Sequence, residues 1–122
     1  MYIMNKKCPV YTTMNFMGKK WTVLILLELY KGKGRWKRYS QLKNSLLDIT
    51  PKVLSMRLRE LEKQGLVKHR VDSKSFPVKS KYALSQSGED FIKVVKGIKR
   101  WGLRWKVKNE ECESMNCREC EF

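Results

Sequence analysis

The apolar residues of the chain recur at two spacings, one typical of amphipathic helices and one typical of half-buried strands. Helical spacing predicts helices over residues 8–18, 19–30, 40–47 and 50–64, and over a last long segment that begins after Ser85 or Ser87. Alternation predicts strands over residues 66–71 and 78–84, joined by a turn at 72–77, and a brief strand within residues 35–39. The chain is therefore predicted to be mainly helical with one small β hairpin.

Capping residues support these boundaries. Pro9 suits the first turn of the first helix, and Gly18 separates that helix from the second. Ser40 is a candidate N-cap for the third helix, and Thr50 followed by Pro51 is a candidate start for the fourth. The order helix, helix, strand, helix, helix, hairpin, helix is that of a winged helix-turn-helix, an α+β fold, with an additional helix at each end.

The fourth predicted helix has one apolar face and one basic face. The inward residues are Leu54, Leu58 and Leu61, and a spacing of about 100° per residue turns outward Lys52, Met56, Arg59 and Lys63, flanked by Ser55 and Arg57. In a helix-turn-helix this helix enters the major groove, where Arg and Lys reach guanine edges or phosphates and Met contacts a thymine methyl. A solvated amphipathic helix has the same pattern, so the face alone does not decide between the two.

Further cationic and hydroxyl side chains surround this helix in the predicted fold. The hairpin, or wing, carries lysines that can follow the DNA backbone or sense the minor groove, although lysines also protect exposed strand edges. The N-terminus of the third helix favours phosphate. The predicted DNA-binding residues are Lys37, Arg38, Ser40, Thr50, Lys52, Ser55, Met56, Arg57, Arg59, Lys74 and Lys79.

Charge divides the chain into two parts. Residues 1–108 carry 26 basic and 7 acidic residues, whereas residues 109–122 carry 1 basic and 5 acidic residues. We therefore predict a winged helix-turn-helix domain over residues 1–108 and an acidic, cysteine-containing tail over residues 109–122. A body this basic favours double-stranded DNA as a partner, and no segment combines a basic face with the apolar face that a membrane surface would need.

Other functional classes are less well supported by the residues. A non-specific architectural chromatin protein would have the same charge, so it stays an alternative. An enzyme is not predicted, because catalysis needs a base beside a nucleophile in a pocket and the only histidine is His69. No apolar run approaches the roughly 18 residues that span a bilayer, and no secretory signal pattern is present, so we expect a cytoplasmic protein.

Several motifs resemble those of the HxlR-type transcriptional regulators, which are small MarR-like winged-helix proteins. The most specific is the segment ITPKVLSMRL at residues 49–58. It is accompanied, in the family's order, by Cys8-Pro9, GKKW at 18–21, RYSQL at 38–42, GLV at 65–67, YAL at 82–84 and Trp101-Gly102. The chain departs from the family in having Lys19 within the GKKW motif, Tyr39 in place of the usual Phe, and a longer turn over residues 30–36.

The resemblance implies a homodimer joined by the first and last helices. The last helix has a broad apolar stripe, which agrees with an interface although part of it must be ordinary core. The predicted interface residues are Val10, Met14, Phe91, Val94, Val95, Ile98, Trp101 and Trp105. A two-fold dimer implies a pseudo-palindromic operator with half-sites ~34–36 Å apart, and blocking a promoter is the simplest regulatory mechanism.

The four cysteines suggest a chemical signal. Cys8 lies at the start of the first helix near Lys6 and Lys7, where the thiolate is favoured, and the resemblance implies redox or electrophile sensing at this position. A buried packing role is the alternative. Cys112, Cys117 and Cys120 have the spacing C-x4-C-x2-C, which supplies three of the four ligands of a structural zinc site, with Cys8 or Glu113 as candidates for the fourth. The same spacing also suits an iron–sulfur cluster, a disulfide or a plain reduced tail. Zinc is therefore a candidate cofactor, and an oxidant or a small molecule is a candidate effector.

Overall fold

The computed structural model describes residues 7–120 of the chain. Its helices and strands are α1 (Pro9–Met17), α2 (Thr22–Tyr30), β1 (Lys37–Arg38), α3 (Tyr39–Ser45), α4 (Pro51–Lys63), β2 (Val67–Asp72), β3 (Lys79–Leu84), α5 (Gln86–Trp105) and α6 (Glu110–Ser114), followed by a 3-10 turn (Cys117–Glu119). The three strands form one antiparallel sheet in the order β1-β3-β2. The predicted fold class, a mainly helical winged helix-turn-helix with a small β wing, is confirmed. Within the described residues, no helix is long and apolar enough to cross a membrane.

Local capping signals set the ends of α4 and the start of α5. The Thr50 hydroxyl accepts a hydrogen bond from the Val53 amide at 3.2 Å, and Pro51 occupies the first turn of α4. The chain leaves α4 through Gly65, whose φ of 86° lies in the left-handed region that glycine adopts without strain. Ser85, one of the two predicted caps, accepts a hydrogen bond from the Gly88 amide at 3.2 Å.

Two predicted helix starts are wrong. The second helix begins at Thr22 instead of Lys19, because Trp21 adopts a φ of 82° and interrupts the helical path. The third helix begins at Tyr39 with Arg38 as its N-cap, so Ser40 lies inside the helix and does not cap it. The Arg38 amide is satisfied by the Gln41 side-chain oxygen at 2.8 Å.

The core lies where α2 meets α4, the sheet and the first half of α5. Its most completely buried side chains are Ile25, Leu26, Leu42, Ile49, Leu54, Leu58 and Leu61. Where α5 leaves the sheet, the backbone approaches so closely that a Cβ at Gly88 would lie 2.2 Å from the Leu66 carbonyl oxygen. The hydroxyl groups of Ser85 and Ser87 both donate to the Gly65 carbonyl oxygen, which fixes the start of α5 against the end of α4.

The apolar stripe of α5 divides into two faces. Ile92 and Val95 are buried in the core, and Phe91 packs partly against it. Val95 is only 5% exposed, so its side chain has no surface to offer a partner subunit and its assignment to the dimer interface is wrong. The other predicted interface residues of α5 are exposed, namely Val94, Ile98, Trp101 and Trp105.

The acidic tail folds back onto the body of the molecule. The Arg118 carbonyl oxygen accepts a hydrogen bond from the Gly32 amide at 2.6 Å, and the Arg118 guanidinium stacks 4.4 Å from the centroid of the Tyr30 ring. The Lys99 ammonium donates to the Met115 carbonyl oxygen at 2.6 Å, and Cys117 packs against the core. The tail therefore bridges the end of α2 and the middle of α5.

Candidate nucleic-acid interface

The outer face of α4 is exposed and basic. Lys52, Met56, Arg59 and Lys63 all point to solvent, while the leucine stripe on the opposite face is buried. The acidic Glu60 beside this face is neutralised by Lys19, whose ammonium lies 2.8 Å from the Glu60 carboxylate. The helix thus presents basic side chains that form no ion pair within residues 7–120, together with one exposed thioether. Such a surface suits the edge of a base pair and its phosphates.

A tyrosine joins α3 to α4. The Tyr39 hydroxyl donates to the Pro51 carbonyl oxygen at 2.9 Å and lies 3.2 Å from the Ser55 hydroxyl. In the sequence, Tyr39 stands out only as a departure from the family's usual Phe, and its added hydroxyl is the signal for this contact. Ser55, which we predicted as a DNA contact, is half-buried and engaged with Tyr39.

Two predicted DNA-binding cations are directed into the protein. The Lys37 ammonium donates to the carbonyl oxygens of Leu29 (3.0 Å), Gly34 (3.3 Å) and Lys31, so it closes the turn after α2. Partial burial lowers the pKa of Lys37. The Arg57 Nε donates to the Lys20 carbonyl oxygen at 3.0 Å and braces α4 against the turn between α1 and α2. Both side chains are thus held in contacts within the protein, and their assignment to DNA binding stays a prediction.

The remaining predicted residues lie on the exposed surface or beside it. Arg38 and Ser40 lie exposed at the start of α3, and Thr50 is exposed at the start of α4 with its hydroxyl occupied by the cap. Lys74 is exposed in the turn of the wing, and Lys79 is half-buried where β3 begins. These residues and the outer face of α4 frame the candidate interface.

The wing turn ends in an aromatic side chain that sequence reasoning missed. The Phe76 side chain is 100% exposed, so it takes no part in the core. The peptide bond between Phe76 and Pro77 is cis. Asp72 holds the base of the turn by accepting hydrogen bonds from the Ser75 hydroxyl at 2.6 Å and the Lys74 amide at 3.1 Å. Both hydrogen bonds lower the pKa of the Asp72 carboxyl group, and the bond from Ser75 has the larger effect. A Phe between turn-forming residues was the available signal for an exposed ring.

The root of the wing is held by ring contacts. His69 stacks on Tyr82 with the ring centroids 4.4 Å apart, and its Nδ1 lies 3.4 Å from a Glu62 carboxylate oxygen. The Arg70 guanidinium lies 4.3 Å from the centroid of the Trp36 ring. His69 therefore packs its ring against Tyr82 while its edge stays exposed.

All four cysteines are free thiols, and each is half-buried. Among residues 7–120, no three His, Cys, Asp or Glu side chains are gathered so that they could hold a metal ion. The zinc site predicted at Cys112, Cys117 and Cys120 is not preformed in this arrangement, and zinc binding stays a prediction. Cys8 is half-buried at the N-cap of α1, where its carbonyl oxygen accepts the Thr12 amide at 3.0 Å. Lys6, which we placed beside Cys8, lies outside the described residues.

This fold and this exposed helix define a winged helix-turn-helix DNA-binding protein. The sequence profile of the HxlR-like helix-turn-helix family matches residues 16–110. The chain belongs to this family of transcriptional regulators. Its terminal segments, including most of the tail, lie outside the match.

Relatives of known sequence or structure agree with this assignment. The HTH-type transcriptional regulator YdeP of Bacillus subtilis is 35% identical over 107 residues, which cover 88% of this chain and 80% of YdeP. A MarR-family transcriptional regulator from Porphyromonas gingivalis W83 is similar with a TM-score of 0.75 and 28% identity, covering 88% of this chain and 100% of that one. The reduced form of the transcriptional regulator YodB from B. subtilis is similar with a TM-score of 0.69, 28% identity and the same two coverages. YodB has also been solved after diamide treatment and with bound quinone.

Proposed function

We propose that the protein is a homodimeric regulator that binds a pseudo-palindromic operator, with one α4 helix in each of two successive major grooves. The observation that carries this proposal is the outer face of α4, which exposes Lys52, Met56 and Arg59 while its leucines are locked into the core. A helix so anchored presents its side chains in fixed positions, as base readout requires. Repression then follows from occupation of a promoter.

The dimer is supported by apolar side chains that the described residues leave uncovered. Val10 and Met14 on α1 and Val94, Ile98, Trp101 and Trp105 on α5 are all exposed. Large apolar groups that form contiguous exposed patches mark interfaces in soluble proteins. Pairing α1 and α5 with their copies would cover these groups and would set the distance between the two α4 helices.

Cys8 is the candidate for the regulatory signal. It caps α1, the helix that carries Val10 and Met14, so a group added to its sulfur would alter packing at the proposed interface. A quinone is a suitable electrophile, because the thiolate adds to a ring carbon while a proton restores the aromatic hydroquinone. YodB, which resembles this chain, is known in a quinone-bound form. Loss of the quinone response of DNA binding in Cys8→Ser is the expected result, and a retained response would reject this assignment.

Selection of bound duplexes from a random pool tests the central proposal. We expect a two-fold symmetric consensus with half-sites ~34–36 Å apart. Arg59→Ala is expected to weaken binding to that consensus by about tenfold or more, since a bidentate base contact is worth roughly 1–3 kcal/mol. The control is Lys93→Ala, which removes an exposed cation from α5 and should change binding to the consensus little.

The alternative is a non-specific architectural protein, which the net charge of +15 favours. Such a protein would bind consensus and scrambled duplexes equally, with a steep dependence on salt in both cases. In that case the selection would return no consensus, and Arg59→Ala and Lys93→Ala would weaken binding to a similar, small extent. That result would overturn the proposal of sequence-specific regulation.

A further inference from the structure

A cavity lies between α5 and the folded-back tail, away from the DNA-binding surface. Its volume is about 620 Å³, within the range of roughly 300–1,000 Å³ that is typical of small-molecule sites. The charged and nucleophilic side chains that line it are Lys96, Lys99, Arg100, Arg104, Glu113 and Cys117. The tail residues that line this cavity lie beyond the residues matched by the family profile, whereas its α5 wall lies within them.

The cavity wall is strongly cationic. It has four cations and one carboxylate, and none of the four cations forms an ion pair with any carboxylate of residues 7–120. Lys99 donates to the Met115 carbonyl oxygen, and Lys96 lies 5.3 Å from the centroid of the Tyr30 ring. By contrast, Lys93 on the same helix is paired with Asp90 at 3.0 Å. The Arg104 guanidinium lies 5.3 Å from the centroid of the Trp105 ring, so Arg100 is the cavity cation for which no side-chain contact is recorded within residues 7–120. The wall therefore carries a net positive charge that no ion pair within the described residues offsets.

The cavity lies on the side of α5 opposite the exposed apolar stripe. At about 100° per residue, Lys96, Arg100 and Leu103 point roughly 180° away from Ile98, Trp101 and Trp105. A homodimer formed through the apolar stripe would thus leave the cavity open to solvent. The charges and the volume of the cavity favour a ligand at this place whatever the mode of DNA binding.

We propose that this cavity binds a small polyanion carrying two or more carboxylate or phosphate groups. Arg100, which is exposed, supplies a planar pair of donors suited to either group, and Lys96 and Arg104 flank it with additional charge. Glu113 opposes the anion from the tail side. Leu103 and Met115 give the wall an apolar part, which suits the carbon skeleton of an organic acid or ester.

Isothermal titration calorimetry of the full chain tests this proposal, with citrate and pyrophosphate as separate probes in a chloride buffer of constant ionic strength. We expect saturable binding of one anion per chain for at least one probe, and the tighter probe identifies the preferred group. Arg100→Gln is expected to weaken binding by about tenfold, because it removes a charge-assisted hydrogen-bonding pair. Lys93→Gln, which removes a charge from α5 outside the cavity, should leave the affinity unchanged.

Glu113→Gln provides a test that unfolding cannot mimic. Removing the one opposing carboxylate is expected to tighten anion binding by roughly threefold, since a like-charge repulsion near a surface is worth somewhat under 1 kcal/mol. Equal loss in Arg100→Gln and Lys93→Gln, no gain in Glu113→Gln, or an absence of saturable heat for both probes would overturn the proposal. No DNA is present in these titrations, so their outcome is independent of the proposed regulatory function.

Discussion

At the scale of single residues, the Tyr39 hydroxyl fixes the angle between α3 and α4. We expect Tyr39→Phe to lower the free energy of unfolding by about 1 kcal/mol, because it removes the hydrogen bond to the Pro51 carbonyl and leaves the ring in place. Urea denaturation followed by circular dichroism measures this loss. Tyr11→Phe is the matched control, since the Tyr11 hydroxyl has no hydrogen bond to the described residues. Equal stability of the two variants would show that the Tyr39 contact is not formed in solution.

Phe76 at the tip of the wing is a second residue with a specific consequence. A fully exposed ring flanked by Lys74 and Lys79 can pack against a sugar or a base edge as the lysines meet the phosphates. Phe76→Ala is therefore expected to weaken operator binding by roughly fivefold, equivalent to about 1 kcal/mol, without altering thermal stability. Fluorescence anisotropy measures the affinity, with Val78→Ala as the control for an exposed apolar residue outside the tip. An unchanged affinity in Phe76→Ala would remove the ring from the interface.

At the scale of elements, two of the three glycines of α5, Gly88 and Gly97, should respond to alanine in opposite ways. A Cβ at Gly88 would lie 2.2 Å from the Leu66 carbonyl oxygen, so Gly88→Ala must push α5 away from the sheet. We expect a loss of roughly 2–3 kcal/mol in unfolding free energy. A Cβ at Gly97 would contact only the Arg100 side chain, at 3.8 Å. Gly97→Ala should therefore raise the unfolding free energy by about 0.5–1 kcal/mol, because alanine has the higher helix propensity. Chemical denaturation of both variants checks the pair, and a stable Gly88→Ala would contradict the close packing.

The elements also show which parts of the structure the sequence could predict. Thr50, Pro51 and Gly65 act on the backbone within a few residues of themselves, so the limits of α4 follow from local chemistry. Lys37 was assigned to DNA because its position in the chain is basic and precedes α3. Its actual partners are carbonyl oxygens around the turn after α2, and only the folded path of that turn brings them to the ammonium.

The candidate site shows the same division between local and distant effects. The outward stripe of α4 could be predicted because helical periodicity fixes which side chains share a face. The hydrogen bond from Arg57 to the Lys20 carbonyl oxygen could not be predicted from the sequence. It forms because the positive φ of Trp21 places that carbonyl beside α4. The tail carries no apolar period, and it is attached through backbone oxygens and one stacked guanidinium, which leave no pattern in the sequence.

At the scale of the whole molecule, dimerisation and operator affinity should fail together. Ile98 is 52% exposed in the chain, so Ile98→Glu should leave the fold intact while placing a charge in the proposed apolar interface. We expect sedimentation analysis to show a monomer, and affinity for the full operator to fall by ~100-fold because the two half-sites are no longer bound together. Leu47→Glu, the same kind of change at a residue 83% exposed beside α3, should stay dimeric. If Ile98→Glu also stays dimeric, the subunits must pair through another surface. The half-site spacing expected from pairing α5 with its copy would then no longer be predicted.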